Sequence, residues 1–164
     1  NGDIRNLELG KKFDCVLSLF HVLSYQITNK SLKSVFQTAK KHLKEDGIFL
    51  FDFWFAPAVI HQRPQIRRKT INTDINTICR IAEPETLINK NQVNVKYTFY
   101  EFNHQTKHFN ISSELHKMRF FSIPELEYLA NDLGFKVLRS EEFCTAKDPS
   151  LDTWGICMIL RKYE

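Results

Sequence analysis

The sequence predicts an α/β fold in which parallel strands are closed by an antiparallel hairpin and carry an inserted antiparallel β lid. Short, nearly continuous apolar runs alternate with amphipathic helical segments toward both ends of the chain. Longer runs in the middle alternate apolar and polar residues one by one. The 164 residues, 43% of them hydrophobic, are enough for one domain with a hydrophobic core. We divide residues 1–164 into a βαβ unit over 13–56, the lid over 66–121, and a helix with a hairpin over 122–164.

The βαβ unit follows from two apolar runs and the helical stripe between them. Residues 13–19 have the pattern of a strand buried on both faces, which is typical of parallel sheets. Residues 29–43 place their large apolar side chains on one stripe, which predicts a helix that Asn29 caps. Residues 48–53 are a second buried strand. Short connections between the three elements imply that the two strands are parallel.

The lid follows from three alternating segments, 76–82, 92–102 and 109–120. One face of each segment is apolar and the other is more polar, which predicts an antiparallel meander inserted into or lying over the parallel sheet. The densest basic run, Arg67–Lys69, precedes the meander, and we interpret it as exposed loop charge.

The C-terminal third returns to the pattern of helix and strand. Ser122 and Glu125 form a capping box at the start of a helix, and Gly134 closes that helix. Residues 135–140 and 153–160 are predicted strands. The link between them carries no helical pattern, so we expect them to form an antiparallel pair.

Composition narrows the classes of function. The 23 Lys and Arg residues exceed the 19 Asp and Glu residues by only four and are spread along the chain, so we expect no nucleic-acid partner. The longest apolar run, residues 48–55, is interrupted by Asp52 and is too short to span a bilayer, so we expect no membrane partner.

The cysteines and histidines suggest no metal site. The four cysteines are widely separated and form no CxxC pair, which favours reduced thiols in a cytoplasmic protein over a disulfide or metal framework. His104 and His108 have metal-like spacing but flank a turn and lack further ligands nearby. We expect His42 and His61 to lie on the surface.

Several short motifs, in order, resemble the C-terminal portion of a class I S-adenosylmethionine-dependent methyltransferase, whose sheet is Rossmann-like. Residues 2–5 resemble the segment after the family's third strand, and residues 13–19 resemble its fourth strand with the pattern FDxVxS. Residues 42–47 resemble the family's helix end, and residues 51–54 the end of its fifth strand.

Two further phrases, residues 54–57 and 114–121, are closer to small-molecule methyltransferases with an antiparallel lid sheet. That group includes enzymes that N-methylate nucleotide-linked amino sugars. The resemblance therefore implies methyl transfer from S-adenosylmethionine to a nitrogen or oxygen of a small molecule, with an amino sugar as one acceptor class.

The resemblance also implies site residues, and each has a plainer alternative. The segments after the third and fourth strands border the cofactor in this family, which assigns cofactor contacts to Asp3, Ile4, Leu19, Phe20 and His21. Asp3 would contact the adenine, or it is a solvated turn residue.

His21 and His116 are the candidate bases, because imidazole exchanges a proton near neutral pH. His21 is otherwise a loop histidine bonded to backbone, and His116 a polar cross-strand residue.

The candidate acceptor contacts lie beyond the strands and on the lid. Tyr25 and Trp54 would shape the acceptor pocket, and Asp52 either joins them or pairs with a cation. Arg80 and Arg119 would meet an anionic group such as a diphosphate, or they belong to a solvated face.

One departure from the family is the missing glycine-rich turn. None of the five glycines is placed to build a GxG turn before a helix, and this turn is what brings the backbone close to the cofactor. We therefore expect the chain to be the C-terminal part of a longer enzyme, inactive alone, whose N-terminal cofactor-binding part is absent. A preceding segment or a homodimer partner would cover the exposed sheet. The alternative is a non-catalytic remnant that folds and dimerises.

A methyltransferase acting on macromolecules is a weaker interpretation. Methylation of nucleic-acid bases often uses an Asn/Asp-Pro-Pro-aromatic loop after the fourth strand. Residues 19–22 at this position read Leu-Phe-His-Val instead.

Overall fold

The computed structural model describes residues 2–163, so the outermost residues of the predicted domain, Asn1 and Glu164, lie outside it. The described residues form two compact units, one of residues up to Gln62 with those from Arg119 onward, and one of Arg63–Met118. The second unit overlaps most of residues 66–121, the segment predicted as the lid. The helices and strands, in chain order, are β1 (Phe13–Ser18), α1 (Asn29–His42), β2 (Leu43–Phe55), α2 (Ala56–Gln62), β3 (Arg67–Asn72), β4 (Asn76–Leu87), β5 (Gln92–Asn103), β6 (Phe109–Phe121), α3 (Ile123–Asp132), β7 (Phe135–Glu142) and β8 (Gly155–Lys162).

The first unit is built on the predicted βαβ motif. β1 and β2 pair in parallel, with Cys15 opposite Ile48 and Ser18 opposite Phe51. β8 pairs antiparallel with the other edge of β2, and β7 pairs antiparallel with β8. The mixed α/β sheet predicted from the sequence, with its closing antiparallel hairpin, is therefore confirmed.

The predicted cap of α1 is off by one residue. Thr28, not Asn29, precedes the helix in an extended conformation, and its hydroxyl accepts a hydrogen bond from the Ser31 backbone N–H at 3.1 Å. Both side chains are able to cap a helix, and the extended backbone at Thr28 decides which one does so.

β1 is more exposed than its apolar sequence predicts. Phe13 and Leu17 are 38% and 58% exposed, so the prediction of burial on both faces is wrong for the described residues. An apolar sequence allows a strand to be buried on both faces. Whether other elements actually cover both faces depends on the tertiary structure.

The core of the first unit centres on Phe36 of α1. Its ring lies edge-on to the rings of Phe49, Phe51 and Phe135, at centroid distances of 5.5, 5.4 and 6.1 Å. All four side chains are at most 1% exposed. Burial of these rings, with their favourable edge-to-face geometry, fixes α1 against the sheet.

His42 is buried, so its predicted surface position is wrong. It is 5% exposed at the end of α1. Its Nε2 accepts a hydrogen bond from the Leu9 backbone N–H at 3.0 Å, and its Nδ1 lies 2.8 Å from the Thr38 carbonyl. These contacts require the proton on Nδ1, and they tie the segment before β1 to the helix.

The second unit contains the predicted meander with one additional strand. β4 pairs antiparallel with β5, from Asn76 opposite Asn103 to Leu87 opposite Gln92. The basic run Arg67–Lys69 is exposed, as predicted, but it belongs to β3, which pairs antiparallel with β4. Its loop interpretation is wrong because long basic side chains are well suited to an exposed edge strand. β6 follows β5 in the sheet order.

The C-terminal helix begins and ends where the sequence predicts. Ser122 precedes α3, and its hydroxyl accepts a hydrogen bond from the Glu125 backbone N–H. Gly134 follows the helix with φ of +79°, a conformation that glycine adopts without strain. None of the helices within residues 2–163 has the length and apolar character of a membrane span.

The cysteines differ in environment, and this leads to a testable difference in reactivity. Burial, with smaller contributions from nearby groups that include Glu141 and Asp52, raises the pKa of Cys157 to about 11. Cys144 is exposed. Since the thiolate is the nucleophile, we expect iodoacetamide at about pH 8 to alkylate Cys144 at least about tenfold faster than Cys157. Peptide mass spectrometry measures both rates, and unfolding in concentrated urea should abolish the difference. Equal rates in the folded protein would contradict the buried position of Cys157.

Candidate active site

The carboxyl ends of the two parallel strands define one edge of the sheet in the first unit. β1 ends at Ser18 and β2 at Phe55. β8 runs the opposite way and begins at Gly155, which is paired with Trp54. The loops that follow β1 and precede β8 therefore meet at the edge where ligands bind in open α/β sheets.

The loop after β1 has an unusual backbone. Phe20 and His21 have φ of 63° and 60°, in the left-handed region that side chains rarely adopt. The His21 N–H donates to both carboxylate oxygens of Asp52, at 3.0 and 3.1 Å. The Ser24 hydroxyl accepts a hydrogen bond from the Trp54 N–H at 3.0 Å. Three hydrogen bonds to β2 therefore hold this loop, and backbone strain of this kind is often found at functional sites.

The side chain of His21 also faces Asp52. Its Nδ1 lies 2.9 Å from Oδ2 of Asp52, whose side chain is 2% exposed, whereas the His21 side chain is 37% exposed. The imidazole lies edge-on to the indole of Trp54, with ring centroids 6.3 Å apart. The structure thus brings together two of the predicted site residues, His21 and Trp54. It pairs Asp52 with a group able to become a cation, one of the two roles that the sequence left open.

His21 borders a surface depression of about 370 Å³, which we call the His21 pocket; its other lining residues are Glu142, Phe143, Asp152, Thr153, Trp154 and Gly155. Trp154 lies edge-on to Trp54 at 5.9 Å, and its indole N–H donates to the Gln62 side chain. Sequence reasoning missed Glu142 and Trp154. The available signal was Trp154 itself, one of two tryptophans in the chain, next to the start of a strand at the ligand-binding edge.

Two predicted cofactor residues, Ile4 and Leu19, line a different groove of about 410 Å³, which also contains residues of β1 and α1. Asp3, next to this groove in the sequence, is exposed and bound to Arg5. Hydrogen bonds from the Arg5 side chain and backbone lower the pKa of Asp3 to about 2, so its carboxylate is ionised at neutral pH. Phe20 and Tyr25 are 81% and 46% exposed.

The second unit holds the remaining candidate base. His116 Nε2 lies 3.0 Å from Oε2 of Glu114, and its ring lies edge-on to Tyr97 at 5.0 Å. The Arg80 guanidinium stacks on the same tyrosine ring at 5.1 Å, and its buried Nε forms no hydrogen bond within residues 2–163. Arg80, Tyr97 and His116 therefore form one cluster on neighbouring strands.

Arg119 is occupied by structural contacts in the first unit. Its guanidinium donates to Glu125 at 2.5 Å and to Asn29 at 2.8 Å, and it lies over the Phe121 ring at 4.9 Å. The side chain is 12% exposed. These contacts connect β6 to both α1 and α3, which favours a stabilising role over the predicted substrate contact.

Metal-ligating side chains are dispersed. In the part of the chain that the structure describes, no three His, Cys, Asp or Glu side chains are grouped to hold a metal ion. His104, one member of the HxxxH spacing, instead contacts the Thr77 hydroxyl at 3.1 Å.

Solved structures share this arrangement of elements. A S-adenosylmethionine-dependent methyltransferase from Clostridium acetobutylicum superposes on 99% of this chain with a TM-score of 0.82, at 20% sequence identity. The chain has the class I methyltransferase fold. The fold predicted from the motifs is thereby confirmed. The sugar N-methyltransferase KedS8 from Streptoalloteichus shares the methyltransferase fold with a TM-score of 0.79, at 15% identity over 99% of this chain.

Sequence comparison agrees with the methyltransferase fold. A dTDP-3-amino-3,4,6-trideoxy-alpha-D-glucopyranose N,N-dimethyltransferase from Streptomyces venezuelae is 24% identical over 136 residues, which is 83% of this chain. No family model matches the chain. The chain spans 56% of that relative's length, 63% of the Clostridium structure and 61% of KedS8.

Proposed function

We propose that the protein transfers a methyl group from S-adenosylmethionine to the nitrogen of a small-molecule amine, and that the amine is an amino sugar. The observation that carries this proposal is the position of His21. Its imidazole contacts the buried Asp52 carboxylate and borders the His21 pocket, at the edge of a methyltransferase fold where ligands bind. The relatives named above support the amino sugar, because two of them are named as sugar N-methyltransferases.

The residues on either side of β1 are suited to contact an adenosyl group. The groove containing Ile4 and Leu19 is apolar, and the ionised carboxylate of Asp3, the residue before Ile4, is able to accept a hydrogen bond from an amino group. When bound, S-adenosylmethionine supplies an electrophilic methyl carbon whose bond to sulfur breaks with both electrons left on sulfur. In our proposal Ile4, Leu19 and Phe20 supply apolar contacts to it, and Asp3 supplies the polar one.

His21 supplies the proton chemistry in this proposal. An amine arrives mostly as an ammonium ion at neutral pH and must lose a proton before its lone pair forms the new bond to carbon. An imidazole takes this proton readily near neutral pH. Trp54 and Trp154 provide apolar surface beside it, which limits the access of water to the reacting groups.

Arg80 and His116 are proposed as further contacts to the acceptor or its nucleotide. The Arg80 guanidinium suits a diphosphate, which it binds with paired hydrogen bonds. Replacing Arg80 with Met should raise the KM for a nucleotide-linked acceptor by about 10- to 100-fold and change kcat little, since a charge-assisted hydrogen bond contributes about 1.5–3 kcal/mol.

Cofactor binding is the first test of the proposal. We expect S-adenosylhomocysteine to bind the full-length gene product with a dissociation constant below about 1 mM, measured by titration calorimetry. ATP, which shares the adenosine group, is the matched control and should bind much more weakly. Failure to bind S-adenosylhomocysteine would contradict the proposal and favour the non-catalytic alternative.

Acceptor chemistry is the second test. Formation of S-adenosylhomocysteine should be measured with a nucleotide-linked 3-amino sugar and with the same sugar carrying a hydroxyl in place of the amine. We expect turnover with the amino sugar and none with the hydroxyl compound. Turnover with the hydroxyl compound alone would show that the acceptor atom is oxygen.

A further inference from the structure

Asp52 lies where an ionised carboxylate is energetically unfavourable. It lies in β2 within the sequence Phe51-Asp52-Phe53, is 1% exposed, and both neighbouring phenylalanines are fully buried. An ionised carboxylate in such surroundings is costly unless charged or hydrogen-bonding partners compensate it. The sheet itself does not need a carboxylate here, because β2 and β8 pair through backbone atoms at this position, where Asp52 is opposite Cys157.

His21 alone supplies the compensation. Within residues 2–163, every polar contact of the Asp52 carboxylate comes from His21: two from the backbone N–H and one from Nδ1. The two residues are thirty-one positions apart, and the left-handed backbone at His21 is what presents both groups to the same carboxylate. The pair is therefore built by the tertiary structure.

The orientation of the imidazole follows from the same contacts. Nδ1 is shielded from solvent, although the His21 side chain as a whole is 37% exposed. Cε1 lies against Gly155, where an added Cβ would be 3.4 Å away. The exposed part of the ring is consequently the remainder, which contains Nε2. Nδ1 lies 2.9 Å from Oδ2 of Asp52, but the angle at Nδ1 does not meet hydrogen-bond geometry, so the two atoms are close without forming a hydrogen bond. Catalytic hydrogen bonds often align only when the site is occupied.

We propose that Asp52 is a positioning residue, which holds the proton of neutral His21 on Nδ1 and so leaves Nε2 as the atom that accepts the proton of the acceptor ammonium. The proton passes from the ammonium nitrogen to Nε2, the amine lone pair becomes free to bond the methyl carbon, and the buried carboxylate balances the charge of the imidazolium that forms. The inference rests on the proposed function for its role in turnover, but the protonation pattern of His21 is a property of the free protein. A carboxylate that fixes the tautomer and orientation of a histidine is a general device for this purpose.

The tautomer is tested directly by NMR on the ¹⁵N-histidine-labelled full-length gene product. Two-bond ¹H–¹⁵N correlation spectra at alkaline pH, where imidazole is neutral, distinguish protonated Nδ1 from protonated Nε2. The His21 signals are identified by their loss in a His21→Asn variant. We expect His21 to carry its proton on Nδ1, and a proton on Nε2 would overturn the proposal whether or not the protein transfers methyl groups.

The role in turnover is tested with Asp52→Asn, which keeps the size of the side chain and an acceptor for the backbone N–H. We expect the His21 proton to move to Nε2 and kcat to fall by about 10²–10⁴-fold, while the KM for the acceptor changes less than about threefold. Asp14→Asn, which removes an exposed carboxylate from the neighbouring strand β1, is the matched control and should leave both constants unchanged. An Asp52→Asn enzyme that keeps its kcat would overturn the proposal.

Two further results separate the possible failures. If Asp52→Asn does not fold, as shown by circular dichroism, the tautomer of the wild-type protein still decides the proposal. If wild-type His21 carries its proton on Nδ1 but no amine is methylated, the Asp52 contact stands and the proposed function fails.

Discussion

Replacing His21 with asparagine should lower kcat for methyl transfer by about 10²–10⁴-fold, the usual contribution of a positioned general base. The affinity for S-adenosylhomocysteine should change less than about threefold, because the imidazole acts on the acceptor in our proposal. Asparagine suits this position, since it tolerates the φ of 60° and keeps the backbone N–H that donates to Asp52. Single-turnover kinetics with the amine acceptor, together with calorimetry, measure both quantities.

The matched control for this prediction is His61→Asn. His61 is an exposed histidine in α2, and no role in the site is proposed for it. Its replacement should leave kcat and cofactor affinity unchanged. A His21→Asn enzyme with the kcat of the His61→Asn enzyme would mean that His21 is a structural loop residue, which is the alternative left open by the sequence.

Replacing Phe36 with alanine should lower the free energy of unfolding by about 3–5 kcal/mol, the usual cost of removing a buried aromatic ring. Phe36 is 0% exposed and its ring contacts three other phenylalanines on two strands, so the cavity has many walls that cannot all move inward. For a domain of this size, a loss of this magnitude is a large part of the total stability. Urea unfolding monitored by circular dichroism measures the change.

Tyr128→Ala is the matched control, since it also removes an aromatic ring from a helix. Tyr128 is 80% exposed on α3, so its replacement should change the free energy of unfolding by less than about 0.5 kcal/mol. Equal losses in the two variants would contradict the packing of α1 against the sheet.

Local patterns were sufficient to predict most of the elements. The βαβ unit, the central meander and the final helix with its hairpin appear where apolar periodicity and capping residues indicate them. β3 was missed because its sequence, Arg-Arg-Lys-Thr-Ile-Asn, has no apolar face, and only its pairing with β4 makes it a strand. The exposure of β1 and the burial of His42 were also missed, because both depend on which other elements cover them.

The candidate site shows the same division. The position of His21 after a parallel strand marked it as a candidate, but no pattern in the sequence pairs it with Asp52. Glu142 and Trp154 were missed for a similar reason. They flank a link without periodicity, and they reach His21 only because β8 runs antiparallel to β2.

The sequence by itself determined most of the helices and strands, the parallel pairing of β1 with β2, and the family that the fold resembles. The elements and their pairing follow from side-chain periodicity and turn chemistry, which act over a few residues, and the family follows from the resemblance of short motifs. The tertiary structure alone decided that a carboxylate in a phenylalanine-rich strand meets the imidazole of a loop thirty-one residues earlier. That contact depends on the register of the two strands and on the left-handed turn between β1 and α1, and these are set by the packing of the whole unit.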